Sequence, residues 1–180
     1  MEGSGVKEIK YQIDGGTVYS IPGDFGTFVV DTDSTMHDIK YWAVDNVGNE
    51  EGKHTINVKQ DQTPPNILFT YEVTGGNPYQ GWDFLFTANC TDATSLMDRV
   101  EFRMNDRLQD TVSGLGPTYQ WGYRGYPVFD IVIKATAFDQ AGNSDFREIE
   151  NPKSTDKSNS QSQTTQSQSS SQRIRMPLDR

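Results

Sequence analysis

Glu8-Ile9-Lys10-Tyr11-Gln12-Ile13-Asp14 and Arg99-Val100-Glu101-Phe102-Arg103-Met104-Asn105 carry one pattern, 91 positions apart. In both, apolar and polar residues alternate and the chain then runs into a turn, Asp14-Gly15-Gly16 or Asn105-Asp106. Ala43-Val44-Asp45-Asn46-Val47-Gly48-Asn49 matches Ala137-Phe138-Asp139-Gln140-Ala141-Gly142-Asn143 at an offset of 94. Two matches in the same order at nearly the same offset indicate one module written twice. A period of about 92 residues suits a small β-sandwich. The alternation is that of strands, whose successive side chains point to opposite faces.

The same period runs through the rest of the chain. Phe84, Phe86, Ala88 and Cys90 share a face, with Leu85, Thr87 and Asn89 opposite. Phe129, Ile131, Ile133, Ala135 and Ala137 share another, and Tyr119, Trp121 and Tyr123 alternate with Gln120, Gly122 and Arg124. These runs are rich in β-branched and aromatic residues, which fit a pleated surface, and Gly, Pro, Asn and Asp clusters separate them. No window has helical spacing; Ser95-Leu96-Met97-Asp98 allows at most one turn. The expected fold class is all-β.

Gln60-Asp61-Gln62-Thr63-Pro64-Pro65 divides the copies, because a Pro-Pro pair ends a strand and stiffens the backbone. The first copy is expected over 1–61 and the second over 62–152. Ahead of its matched strand the second copy has Pro65 to Asp98, with two strand candidates, whereas the first has only Met1 to Lys7. The first sandwich is therefore expected to be N-terminally truncated. A longer parent chain, or another segment, would supply its opening strands.

Composition sharpens this division. Only 33% of the 180 residues belong to the AVILMFWYC set, and the deficit is local. Lys153 to Gln172 reads KSTDKSNSQSQTTQSQSSSQ, without one apolar residue. Such a segment buries too little surface to offset its ordering entropy, so 153–180 is expected to be a disordered Ser/Gln-rich tail of the linker or stalk kind. Its end, RIRMPLDR, reads as a solvated basic terminus, or else Ile174, Met176 and Leu178 begin a further element. Residues 1–152 hold eleven basic against twenty-three acidic groups, a balance of −12. That surface repels phosphate backbones, so nucleic acid is not an expected partner. No apolar run approaches about 18 residues, so no membrane insertion is expected. Met1 to Tyr11 is too polar for an export leader. One cysteine permits no internal disulfide.

Asp-x-x-Gly-Asn after a strand, at Asp45/Gly48/Asn49 and Asp139/Gly142/Asn143, is a turn device. The carboxylate accepts backbone N–H groups, Gly takes positive φ, and Asn tolerates a left-handed backbone. A structural turn cap is the preferred reading over a calcium ligand, since a calcium loop needs several oxygen ligands at close spacing. YWAVDNVGNEE (41–51) and KATAFDQAGNSD (134–145) resemble the late strand and following turn of immunoglobulin-like modules in bacterial and archaeal surface proteins. SGVKEIKYQIDGG (4–16) resembles their mid-domain hairpin, and DQTPP (61–65) their inter-domain junction. The likeness covers about residues 3–150. It is closer in the first copy, since RVEFRMNDR in the second lacks the Asp-Gly-Gly turn. It implies tandem β-sandwiches in large secreted or cell-surface proteins, serving as spacer, stalk or adhesion modules without catalytic residues.

Each remaining constellation has a structural reading beside the functional one. Cys90, on an apolar face, reads as a small buried hydrophobe rather than a nucleophile. His37 and His54 are the two histidines, and no hydrolase or phosphate-loop motif accompanies them. Trp82, Trp121 and Tyr126 are candidates for stacking on sugar rings, with Tyr79, Tyr119 and Tyr123 nearby; the alternative is that the alternating set fills the core. Asn89-Cys90-Thr91 is a glycosylation sequon within a strand. Asp61, Glu50 and Glu51 are calcium candidates if they converge at the joint; no other cofactor is implied. The expected function is thus a non-enzymatic spacer or adhesion module, extracellular or at the cell surface, with neighbouring modules of its parent chain as partners. The alternatives are a carbohydrate-binding module, and a surface-filament subunit completed by a donated strand.

Overall fold

The computed structural model describes residues 4–126 and 130–152, and the backbone of 172–175. Every regular element among them is a β-strand. The expectations for Phe129 and for tail residues 153–171 and 176–180 lie outside the described residues. The chain divides into two compact units, Met1–Gln62 with Ser171–Arg180, and Thr63–Ser170.

The first unit contains β1 (Val6–Ile13), β2 (Val18–Pro22), β3 (Thr27–Val30), β4 (Ser34–Asp45) and β5 (His54–Gln60). One antiparallel sheet runs β2-β1-β4-β5. Asp14 and Gly15, at φ 50° and 70°, turn β1 toward β2, and the Gly16 N–H closes the turn on the Ile13 carbonyl at 2.9 Å. Two successive positive-φ residues give the backbone twist that a tight hairpin needs. Ile9, Phe28, Val30 and Ile39 are buried together, with Tyr11, Ile13, Ile21, Tyr41, Ile56 and Val58 packed around them. Tyr11 stacks on Phe28 with ring centroids 4.3 Å apart.

The second unit contains β6 (Asn66–Asn77), β7 (Gly81–Thr91), β8 (Met97–Met104), β9 (Arg107–Ser113), β10 (Thr118–Gly125), β11 (Val132–Asp139) and β12 (Ser144–Glu150). They form two antiparallel sheets, β10-β7-β6 and β12-β11-β8-β9. The inner faces follow the alternation in the sequence. Phe84, Phe86, Ala88 and Cys90 of β7 sit between Ile67, Phe69 and Tyr71 of β6 and Tyr119 of β10. Val100 and Phe102 of β8, Ile133, Ala135 and Ala137 of β11, and Ile149 of β12 complete the same core from the other sheet. Phe69 meets Phe102 at 6.1 Å across the interface. The two sheets thus pack face to face as a β-sandwich. Burying one such side chain is worth about 2–3 kcal/mol, and several large ones in a single cluster hold the unit together. The hairpin from β8 to β9 turns on Asn105 and Asp106, at φ 46° and 62°, so it uses the same left-handed pair as the β1–β2 turn without its glycine.

The last described element corrects the expectation for the chain's end. Gln172–Arg175 is a strand, β13, paired antiparallel with β3 rather than left as a solvated terminus. Local composition argues for disorder, but an extended segment beside an open sheet edge gains the ladder bonds that the edge backbone offers.

Candidate functional site

The Asp-x-x-Gly-Asn loops have the same geometry in both units. Asn49 N–H and its side-chain amide donate to the two Asp45 carboxylate oxygens, each at 2.8 Å. Asn143 does the same to Asp139, again at 2.8 Å in both contacts. Gly48 and Gly142 take φ 93° and 94° and donate to the Asp45 and Asp139 carbonyls at 3.1 and 3.3 Å. The loops differ in solvation. Asp45 is partly exposed and Asn49 exposed, whereas Asp139 is 2% exposed and Asn143 is completely buried. The Asn49 hydrogen bonds, side chain first and backbone next, hold the Asp45 carboxyl down at about 2.

Two further loop ties escaped the sequence reading. His37, 3% exposed, places Nδ1 2.6 Å from Asp14 Oδ2 and Nε2 2.8 Å from the Thr32 carbonyl. Both partners are acceptors, so the ring is best satisfied as an imidazolium donating from both nitrogens. Burial works against that charge, but the hydrogen bonds to Asp14 and Thr32 outweigh it and raise the His37 pKa. The His37 hydrogen bond, aided by the Asp38 N–H, lowers that of Asp14. The second tie is Asp92, whose Oδ1 accepts the N–H groups of Thr94, Ser95 and Leu96 at 3.0, 2.7 and 3.0 Å. Asp-x-Thr-Ser is a readable Asx-turn signal. The partnership of Asp14 and His37, 23 residues apart, has no local signature.

The calcium candidates do not converge. Asp45, Glu50 and Glu51 line one shallow pocket with Ser4, Gly5, Val6, Ala43 and Asn49, but their oxygens serve the fold. Glu50 accepts Lys10 Nζ at 2.7 Å, and Glu51 bonds the Ala43 N–H at 3.1 Å and His54 Nε2 at 3.0 Å. Asp61 is buried at the other end of β5. Seven strand residues separate its end from that of Glu51, roughly 20 Å at strand rise.

The aromatic candidates separate into two groups. Trp121 lies on the inner face of β10 and stacks on Phe86 at 5.4 Å, and Trp82 packs against the same core. Tyr126 and Tyr79 remain open, at 51% and 91% exposure, and the Tyr126 hydroxyl donates to the Tyr79 carbonyl at 2.7 Å. Asn89 is exposed on β7, but its side-chain oxygen accepts the Thr118 hydroxyl at 2.8 Å. Cys90 is 1% exposed, and burial pushes its thiol up to about 12, which leaves it an inert core group.

No protein-family model and no curated protein matches the chain. Among solved structures, the chain is similar to the fibronectin(III)-like modules of Clostridium thermocellum CbhA. The identity is 16% and the TM-score 0.37, over 86% of this chain and 82% of that one. A likeness that slight carries no conclusion about fold or function, and the all-β architecture rests on the strands themselves.

Proposed function

We propose that this chain is a non-enzymatic structural or adhesive module, a spacer or stalk of immunoglobulin-like sandwiches in an exported cell-surface protein. The observation that carries this reading is the twice-built Asp-x-x-Gly-Asn loop. In each copy the carboxylate is committed to the N–H groups of its own turn, as a repeated scaffold requires. Two other reactive groups are likewise engaged within the fold: His37 bonds through both ring nitrogens, and Cys90 is core. A −12 balance over residues 1–152 keeps such modules from self-associating. Its partners on this reading are neighbouring modules of the parent chain.

Single-molecule pulling tests the mechanical role. Unfolding of the second unit releases the β6–β12 segment, Asn66 to Glu150, in one discrete step of roughly 250 Å. Smooth extension without a step contradicts the spacer reading. A glycan-binding reading is favoured only by the exposure of Tyr126 and Tyr79. Binding to a glycan panel that is lost in Tyr126→Ala, with an unchanged melting temperature, would establish it in place of the spacer.

A further inference from the structure

The four-stranded sheets of the two units share one order. β2-β1-β4-β5 in the first corresponds to β9-β8-β11-β12 in the second, and the sequence repeat falls on the same strands, β1 with β8 and β4 with β11. In that correspondence β3 takes the place of β10. Each follows the outer strand of its hairpin (β2 or β9) and precedes the long strand that ends in Asp-x-x-Gly-Asn. β10 has a neighbour in its sheet, the antiparallel strand β7. In the first unit the antiparallel neighbour of β3 is β13.

β3 is committed to the fold on its inner face. Phe28 and Val30 are buried in the core of the first unit, while Thr27 and Val29 are exposed. Its edge carries backbone N–H and C=O groups that a strand interior must pair. The register sets Gln172 opposite Val30, Arg173 opposite Val29, Ile174 opposite Phe28 and Arg175 opposite Thr27.

We propose that the β3 edge of the first unit is a strand-acceptor site whose occupant is the chain's own C-terminal segment, Gln172–Arg175, standing where β7 stands in the second unit. Recognition is by main-chain hydrogen bonds along the edge, the mode of β-strand addition. The proposal does not depend on the spacer reading, since an acceptor edge can close a module of any function.

The test is amide hydrogen exchange on the full chain and on two full-length variants, Arg173→Pro and Ile174→Pro. Neighbouring N–H groups in a strand point to opposite sides, so one of these prolines removes a donor aimed at β3 while both restrict the backbone. The expected result is that protection of the Phe28–Val30 amides falls about tenfold or more in at least one variant, with protection in β7, β8 and β11 unchanged. A synthetic peptide of residues 171–180 then restores β3 protection in that variant, and a scrambled peptide does not. Unchanged β3 protection in both variants overturns the proposal, as does failure of the peptide to restore it. Sedimentation of the wild-type chain decides the donor: a monomer at all concentrations supports the chain's own strand. A concentration-dependent dimer whose β3 protection is lost on dilution overturns it in favour of a second copy.

Discussion

Asp139 and Asp45 hold equivalent places in two copies of one loop, and their surroundings separate what each contributes. Removing the Asp139 carboxylate strips two hydrogen bonds from Asn143, a completely buried residue. Buried polar groups that lose partners cost about 1–3 kcal/mol, so Asp139→Ala lowers the stability of the second unit by about that much. The Asn49 donors of the other loop stay in water, so Asp45→Ala destabilises the first unit less. Denaturant titration of the two variants measures both, and equal losses contradict the role assigned to burial. His37 gives the residue scale its pH dependence. Its raised pKa means that its contribution is complete below the ordinary histidine value of about 6.5 and is lost as pH rises through the folded value. The lowered pKa of Asp14 works in the opposite direction, with a contribution present above the ordinary carboxylate value and lost as pH falls through the folded one. The first unit is therefore most stable in the window between the two, and its melting temperature falls from neutral toward alkaline pH. His37→Phe flattens that alkaline limb; a variant that keeps the wild-type slope assigns it to other groups. The Asp-x-x-Gly-Asn loops were legible because the Asp, Gly and Asn that close each turn on one another lie within five residues. The Asp14–His37 pair was not, because β1 and β4 must first be paired before the two side chains meet.

At the scale of elements, the β6–β7 hairpin depends on one glycine. Gly76 has φ 96°, and a Cβ placed there would lie 2.6 Å from the Trp82 Cα and closer still to the Gly81 carbonyl oxygen. The strands shift register just before it, between Val73 and Gly75, so this is where β6 bends against β7. Gly76→Ala meets both a disfavoured backbone and two rigid main-chain neighbours. It should cost about 2 kcal/mol or more, read as a lower unfolding midpoint of the second unit, while Gly52→Ala, with open space around it, leaves its own unit unchanged. Equal effects would show that the close approach is not limiting. The strand faces of β7, β8, β10 and β11 were readable from alternation alone, since a period of two fixes which side chains share a face. The pairing of β13 was not, because a four-residue strand without a hairpin turn has no local signal for its partner.

For the molecule as a whole, charge is the readable property. The chain carries −9 at pH 7, and 25 carboxylates against 16 basic groups set the sign. Acidification through about pH 4–5 neutralises that excess, so light scattering should rise there and fall again at neutral pH. A flat profile across that range would show that charge is not what disperses the chain. By itself the sequence determined the all-β class, the inner strand faces, the repeated turns and the acid excess, because each is written within a few neighbouring residues or in composition. Only the tertiary structure decided that Tyr126 and Tyr79 stay open while Trp121 packs against the core, that Glu50 and Glu51 lie at the far end of a strand from Asp61, and that β3 takes up the end of the chain. Those outcomes depend on which strands lie beside each other, and backbone hydrogen bonding between distant segments, being nearly blind to sequence, leaves no mark in the order of residues.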